Sequence, residues 1–195
     1  MKDDTLLVHK GRKPFQHHGI VNMPVYHAST VLYQTLQDFK NRKERRYDGV
    51  SYGTRGTPTT FALAETVAAA EGGHKAVVVS TGLAAVTMAL TAFVKAGDHI
   101  LVADSVYEPT RTFCNEVLAR FGVETTYYDP LIGADIADLI RENTRVVYTE
   151  APGSLTFEMQ DIPAISKAAH DRGAVVLLDN TWATPLYFKP FDHGV

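Results

Sequence analysis

The sequence predicts an α/β protein whose mostly parallel sheet carries helices on both faces. Three observations predict this fold class. Short apolar runs alternate with helical patterns from Pro58 onward, which is the order that βαβ crossovers produce. The run Ala174–Leu178 is continuously apolar, as in a strand that is buried on both faces of a parallel sheet. Glycines suited to ending a helix follow the helical patterns at Gly72, Gly97, Gly122 and Gly173.

The individual elements follow from local signals along the chain. The first helix should begin at Pro58 and end at Gly72, because Thr57 is a good N-cap and proline suits the first helical position. Four more helices are predicted, at Leu83–Lys95, Pro109–Phe121, Ile136–Glu142 and Ile162–Arg172. Five strands are predicted, at Ala76–Val79, Ile100–Ala103, Val123–Tyr127, Arg145–Thr149 and Ala174–Leu178.

The two ends of the chain lack this alternation. We expect residues 1–57 to form an extended N-terminal arm and residues 58–195 to form the first part of a larger domain. The charge cluster at residues 40–46 is expected to be a solvated helix face, although such a cluster can also attract phosphate groups. Residues 181–195 should lack a closing helix or strand, so the sheet is expected to continue in a longer protein.

Composition and charge exclude several classes of protein. The chain has 195 residues, 45% of them hydrophobic, and a net charge of -3, which fits one soluble domain and not a basic nucleic-acid binder. No secretory leader or membrane-spanning run is visible, so we expect a cytoplasmic protein with no membrane partner. The single cysteine, Cys114, should be a small apolar residue of a helix. His17, His18 and His27 lack partners at ligand spacing, so no metal is expected.

Three loops are expected at the carboxyl edge of the sheet, where open α/β sheets bind ligands. The turn Ser80–Gly82 opens a helix whose free N–H groups favour a phosphate, with a simple tight turn as the alternative. Tyr107 offers a ring for stacking, with ordinary packing as the alternative. Asp179 offers a carboxylate, with capping of the next turn as the alternative. Together these groups supply the contacts that pyridoxal 5'-phosphate (PLP) requires.

Five ordered blocks carry a resemblance to a known family. They are Val21–Tyr26, Tyr52–Thr59, Ser80–Ala85, Tyr107–Pro109 and Asp179–Trp182. In this order they resemble the Cys/Met-metabolism family of PLP-dependent enzymes, and the resemblance covers nearly the whole chain. It implies the large domain of the PLP-dependent transferase-like fold, known as fold type I, here truncated.

Within the family, two features resemble the members that perform β-elimination: Trp182 and the segment Glu150–Glu158. The resemblance implies cleavage of L-cystathionine to homocysteine, pyruvate and ammonia in methionine biosynthesis. It also implies an amino-acid thioether as substrate and a homo-oligomer built as a dimer of dimers, a homotetramer. The alternatives are the γ-synthase or γ-lyase reaction of γ-acting relatives, and a non-catalytic chain.

The resemblance also implies roles for individual residues. Asp179 would pair with the protonated pyridine nitrogen, and Tyr107 would stack on the ring. The backbone of Gly82 and Leu83 would hold the phosphate, and Thr181 would be a further cofactor contact.

A second group of contacts would come from the arm of a neighbouring subunit. The resemblance implies that Tyr52 reaches the phosphate and that Tyr52 and Tyr107 are both catalytic. Relatives place an arginine two residues after that tyrosine, where this chain has Thr54, and Arg55 follows one position later. Either Arg55 binds the phosphate instead or the phosphate is held more weakly. Ser154 stands where many relatives have an asparagine near the ring oxygen.

The lysine that forms the Schiff base in this family is expected beyond Val195. Lys189 is the nearest lysine, but its surroundings do not match the family's Ser/Thr-rich stretch. The arginine that binds the substrate carboxylate is also expected in an absent C-terminal domain. The 195 residues alone should therefore be inactive, and a second chain could supply the C-terminal part.

Overall fold

The computed structural model describes residues 2–44 and 49–195. Part of the charge cluster, Arg45 and Arg46, lies outside the described residues. The chain forms two compact units, residues 1–78 and 79–195. The domain boundary expected at residue 57 stays a prediction.

The described residues of the first unit form the α-helices α1 (Asp3–His9), α2 (Leu36–Asn41) and α3 (Pro58–Glu71), with short 3-10 helices at Pro14–Gln16 and Gly53–Arg55. The sequence pattern did not predict α1 and α2, which lie within the arm. The Thr35 hydroxyl caps α2 by accepting a hydrogen bond from the Asp38 N–H at 3.1 Å. α1 packs against α3, where Lys10 Nζ lies 2.9 Å from Glu65 Oε1. Local caps and pair contacts therefore stabilise short helices that have no long apolar pattern.

Helix α3 confirms the predicted start and end signals. Its first turn is closed by Thr60, whose hydroxyl accepts from the Thr57 N–H at 2.8 Å and donates to the Thr57 carbonyl at 3.0 Å. Gly72 ends the helix with a positive φ of 74°, which a residue with a Cβ adopts at a cost.

The second unit is built on a four-stranded parallel sheet. Its strands are β1 (His99–Ala103), β2 (Glu124–Tyr128), β3 (Thr144–Glu150) and β4 (Val175–Asp179), in the spatial order β2-β1-β3-β4. All three neighbouring pairs are parallel. Four of the five predicted strands are therefore confirmed, with ends that shift by one residue.

Helices cover both faces of this sheet. One face carries α4 (Gly82–Phe93) and α5 (Glu108–Thr112), which continues as a π-helical turn to Leu118. The opposite face carries α6 (Ile162–Asp171) and a 3-10 helix at Gly133–Asp138. The chain then forms the short helix α7 (Thr184–Tyr187). None of the helices in the described ranges combines the length and apolar character that crossing a bilayer requires.

The strand predicted at Ala76–Val79 is wrong, because the structure shows these residues as an irregular segment. Val77 is 78% exposed and Val78 is 48% exposed. A strand is stabilised by ladder hydrogen bonds to a neighbour, and no ladder partner for this segment is present among the described residues. An apolar run alone therefore does not make a strand.

Two other predictions need correction. The α-helix expected at Ile136–Glu142 is a 3-10 helix at Gly133–Asp138, and it cannot continue because Thr144 closes a turn with Arg141 through two hydrogen bonds. The segment 181–195, expected to lack a closing element, contains α7 and a 3-10 helix at Pro190–His193.

Strand β4 is less buried than its apolar sequence predicts. Val176 is 3% exposed, but Val175 is 36% exposed, and Leu177 and Leu178 are only partly buried. β4 is an outer strand of the four, so it pairs with β3 along one of its edges and has no strand of this sheet along the other. The expected burial on both faces is therefore not observed.

His99 lies fully buried at the opposite edge of the sheet from the candidate site. Its two ring nitrogens lie 2.8 Å from the Thr144 hydroxyl and 2.9 Å from the Thr126 hydroxyl. A neutral imidazole satisfies both contacts, since one nitrogen donates and the other accepts. Burial, and to a smaller extent the positive charge of Arg141, lowers the pKa of His99.

The lowered pKa predicts a loss of stability on acidification. Between the unfolded pKa of about 6.5 and the lower folded pKa, the unfolded chain binds a proton that the folded chain does not. Stability should therefore fall as the pH drops through this window, and His99→Gln should flatten the dependence. Thermal melts from pH 7.5 to 5 test this, with exposed His170→Gln as the control. An unchanged slope in His99→Gln would contradict the assignment.

Cys114 is confirmed as a buried residue of a helical segment, with no exposed surface. Burial raises the pKa of its thiol to about 11. Because the thiolate is the reactive form, the thiol is inert near neutral pH.

Candidate functional site

The candidate site lies at the carboxyl edge of the sheet in the second unit. Glu150 ends β3 and Asp179 ends β4, and the two residues are register partners. Register partners on parallel strands project to the same side of a sheet, and residues two apart share a face. Tyr148 and Leu177, two residues earlier, pack into the core under α4 and α5. Both acids therefore belong to the face that α4 and α5 cover.

The first turn of α4 offers unpaired backbone N–H groups. The Thr81 hydroxyl caps the helix by accepting from the Ala84 N–H at 3.0 Å. The N–H groups of Gly82 and Leu83 have no acceptor within the part of the chain that the structure describes. A Cβ built on Gly82 would meet no atom within 4 Å, so the space in front of the turn is open. This helix start can receive an anion.

Tyr107 precedes α5 and combines a fixed backbone with a free ring. Its carbonyl accepts from the N–H groups of Thr110 at 2.9 Å and Arg111 at 3.2 Å. Its own N–H donates to Glu150 Oε2 at 2.9 Å. The residue is 48% exposed, so the ring is open to a flat partner.

Asp179 lies partly buried, and its carboxylate is oriented by the next turn. Its Oδ1 accepts from the Thr181 N–H at 2.9 Å, so the capping interaction weighed from the sequence is present. Among the described residues, Oδ2 has no hydrogen-bond donor. The carboxylate can therefore cap the turn with one oxygen and bind a ligand with the other. Thr181 itself is exposed beside it.

Glu150 is the site residue that sequence reasoning missed. It is 9% exposed, and burial together with the charge of Asp179 raises its carboxyl pKa to about 7, against the lowering effect of the Tyr107 N–H. The sequence does contain a signal that could have identified Glu150, because this acid follows an apolar run, as Asp179 does. Its backbone register with Asp179 could not be read from the sequence.

The loop after β3 folds back on the loop after β1. Ser154 donates its N–H to the Ser105 carbonyl at 2.8 Å. A Cβ on Gly153 would lie 2.5 Å from the Ser105 hydroxyl oxygen, so this close approach requires glycine. Further along, the Phe157 and Trp182 rings lie 5.2 Å apart, centroid to centroid. These contacts hold Ser154 at the carboxyl edge.

Tyr52 and Arg55 lie in the first unit. Tyr52 forms an isolated antiparallel bridge with Thr30, and the Gly53 N–H donates to the Ser29 carbonyl at 2.7 Å. A Cβ on Gly53 would lie 1.7 Å from the Ala28 carbonyl oxygen, so glycine is required. Arg55 is exposed at the end of a 3-10 turn. Both side chains are accessible on this unit.

The groups of the second unit fit PLP chemically. The open helix start suits a phosphate, the free Tyr107 ring suits a flat ring, and the Asp179 carboxylate suits a protonated pyridine nitrogen. The Tyr148 hydroxyl is a buried polar atom without a hydrogen-bond partner among the described residues. Burial raises the pKa of this phenol, and the charges of Asp179 and Glu150 raise it further. In the described ranges, no group of three or more His, Cys, Asp and Glu side chains is placed to hold a metal ion.

The chain belongs to the Cys/Met-metabolism family of PLP-dependent enzymes, whose pattern matches residues 4–195. A putative cystathionine β-lyase of Rhizobium johnstonii is 58% identical over 98% of this chain and 48% of its own length. A cystathionine β-lyase of Haemophilus influenzae is 44% identical over 98% of this chain and 49% of its own length. An L-alanine/L-glutamate racemase of Wolbachia pipientis is 42% identical over 100% of this chain and 50% of its own length. The chain thus spans about half the length of the curated relatives it matches.

A solved structure confirms the predicted fold class. It is a putative O-acetylhomoserine (thiol)-lyase of Campylobacter jejuni, solved with N'-pyridoxyl-lysine-5'-monophosphate. It superposes with a TM-score of 0.90 at 27% sequence identity, over 100% of this chain and 48% of that chain. PLP is therefore the cofactor of the family to which this chain belongs, and the expected cofactor is confirmed at that level.

Proposed function

We propose that the protein containing this chain is a PLP-dependent β-lyase that cleaves L-cystathionine, with one water, to homocysteine, pyruvate and ammonia. The observation that carries the proposal is that Glu150 links Tyr107 and Asp179 at the carboxyl edge of the sheet, on the face that α4 covers, and that α4 offers an open first turn. The three groups of the proposal are the open first turn of α4, the free ring of Tyr107 and the carboxylate of Asp179. They match the phosphate, the ring and the ring nitrogen of PLP.

Each of these residues has one task in the proposal. The N–H groups of Gly82 and Leu83 bind the phosphate with help from the helix dipole. Tyr107 stacks on the ring and fixes its plane. Asp179 holds a proton on the pyridine nitrogen, and Thr181 keeps that carboxylate oriented through its N–H. When bound, PLP supplies the electron sink that allows the α-proton to leave and the C–S bond to break.

Residues outside the second unit complete the proposed site. Tyr52 and Arg55 reach the phosphate from the arm of a neighbouring subunit, which requires a homo-oligomer, and we propose a dimer of dimers in the cytoplasm. Thr54 stands where relatives have arginine, so Arg55 is the cation available in this segment. The proposed chemistry also needs a Schiff-base lysine and an arginine for the substrate carboxylate, which we assign to the part of the relatives' length that this chain does not span. The intact protein of this proposal is the protein that contains both parts.

The choice of β-elimination rests on the segment Glu150–Glu158 and on Trp182, which match the β-acting pattern. Relatives named cystathionine β-lyase support the same reaction. The racemase name of a relative that is 42% identical shows that similar chains carry out other chemistry at the α-carbon. Product analysis therefore decides the reaction.

The test is incubation of the PLP-loaded intact protein with L-cystathionine, followed by identification of the products. We expect pyruvate and homocysteine in equal amounts. Formation of 2-oxobutyrate with cysteine would assign γ-elimination instead. In a parallel incubation with L-alanine, formation of D-alanine, together with no pyruvate from L-cystathionine, would assign racemisation. The 195-residue chain alone serves as the control and should form no product.

A further inference from the structure

Glu150 fixes the position of the loop that carries Tyr107. Its Oε2 accepts the Tyr107 N–H at 2.9 Å, across 43 positions of sequence. The carbonyl of Tyr107 is already bound to the first turn of α5, so the backbone of this residue is held on both sides. Within residues 2–44 and 49–195, no hydrogen bond or ring contact to the Tyr107 side chain is present, and Tyr107 is 48% exposed. The direction of the ring therefore depends on the backbone that Glu150 holds.

Glu150 is itself held by a separate buried network. Its carbonyl accepts from Gln160 Nε2 at 2.7 Å, and Gln160 Oε1 accepts from the Tyr128 hydroxyl at 2.8 Å. Gln160 is 7% exposed and Tyr128 is 2% exposed. A hydrogen-bonded polar network in a low-dielectric interior is rigid when its members are satisfied. The backbone of Glu150, from which the carboxylate extends, is therefore held by contacts that do not involve Tyr107.

Near neutral pH the carboxyl pKa of about 7 leaves both forms of Glu150 populated, and its hydrogen bond to the Tyr107 N–H is strongest in the ionised form. An ionised acceptor bonded to a backbone N–H is worth roughly twice a neutral pair. Because Glu150 is buried and lies beside Asp179, its charge is poorly solvated, and the Tyr107 N–H offsets part of this penalty. The two groups therefore stabilise each other at the edge of the site.

We propose that Glu150 is a positioning residue of this site, which holds the Tyr107 ring in place through the hydrogen bond between its carboxylate and the Tyr107 N–H. The proposal rests on the proposed function, because it assigns importance to the Tyr107 ring that stacks on the cofactor. Glu150 does not touch the cofactor in this proposal. Its effect passes through the Tyr107 backbone.

Two substitutions of similar volume separate the hydrogen bond from packing. Glu150→Gln keeps an oxygen acceptor at this position, and Glu150→Met removes it while filling nearly the same space. Glu116→Gln, on an exposed face of the π-helical turn, is the matched control. Thermal unfolding of each variant verifies that it is folded.

The first readout is residue-resolved hydrogen exchange at the Tyr107 amide in the intact protein without PLP. We expect Glu150→Met to speed this exchange by about ten- to a hundredfold, which is the loss of one hydrogen bond to a charged group. Glu150→Gln should speed the exchange less, by about three- to tenfold, since it replaces a charged hydrogen bond with a neutral one. Unchanged exchange in Glu150→Met, or equal acceleration in both variants, would overturn the proposal.

The second readout is the visible circular dichroism of bound PLP, which reports how the protein orients the cofactor ring. Glu150→Met should weaken this signal, and Glu150→Gln should restore most of it. A full signal in Glu150→Met would overturn the positioning role. Tyr107→Ala separates the role of the Tyr107 ring from the role of Glu150. If this variant leaves the signal unchanged, the proposed stacking fails, while the exchange result still decides whether Glu150 holds the loop.

Discussion

Replacement of Asp179 by alanine is expected to lower kcat/KM of the intact protein for L-cystathionine by at least about a hundredfold. This is the lower end of the cost of removing one preorganised electrostatic group from an active site. Asp179 is suited to that role because it ends β4 on the face that also carries α4 and α5. Without its charge, nothing in the proposed site keeps the pyridine nitrogen protonated.

Asp179→Asn separates the charge of this residue from its structural role. The asparagine oxygen can still accept the Thr181 N–H, a contact of 2.9 Å in the structure, so the turn should persist. Activity should nevertheless fall nearly as far as in Asp179→Ala, because the amide carries no charge. Asp171→Asn, an exposed position in α6, is the control and should leave kcat/KM unchanged.

The measurement is a steady-state pyruvate assay, with PLP absorbance recorded on the same samples. If Asp179→Asn keeps wild-type kcat/KM while Asp179→Ala loses it, Asp179 acts by capping the turn. If both variants keep it, the proposed PLP site is in the wrong place. Reduced activity with normal PLP absorbance would separate an effect on chemistry from an effect on cofactor binding.

The parallel sheet could be predicted because its signals are local. Buried strands of a parallel sheet are continuously apolar, and the helices between them end at glycines. β1 and β3, which have neighbours on both sides, match this pattern closely. Ala76–Val79 shows the same pattern without becoming a strand. Whether an apolar run pairs depends on a partner elsewhere, which a local pattern does not contain.

Only part of the candidate site could be predicted, because local patterns place residues at strand ends but do not contain contacts between distant residues. Tyr107 and Asp179 each follow a strand, so the parallel topology alone brings them to one edge. The contact between Tyr107 and Glu150 joins residues 43 positions apart, and no local pattern predicts it. Tyr52 and Arg55 belong to the first unit, and their expected place in the site stays a prediction.

The sheet itself should be most sensitive to substitution at Leu101. This residue lies in β1, between β2 and β3, and has no exposed surface. Its side chain belongs to the core under α6, with Val147 and Ile165. Leu101→Ala removes this packing and leaves a cavity, which should cost about 2–5 kcal/mol in the free energy of unfolding.

Urea unfolding at a fixed PLP concentration measures this cost, because a cofactor that binds only the folded state shifts the midpoint. Leu101→Met keeps the volume and should lose less than about 1.5 kcal/mol. Leu131→Ala is the surface control, since Leu131 is 67% exposed, and it should change the free energy by no more than about 0.5 kcal/mol. Equal losses in Leu101→Ala and Leu131→Ala would mean that β1 is not the centre of the folded sheet. A loss confined to Leu101→Ala would place the stability of this unit in the packing of the sheet against α6.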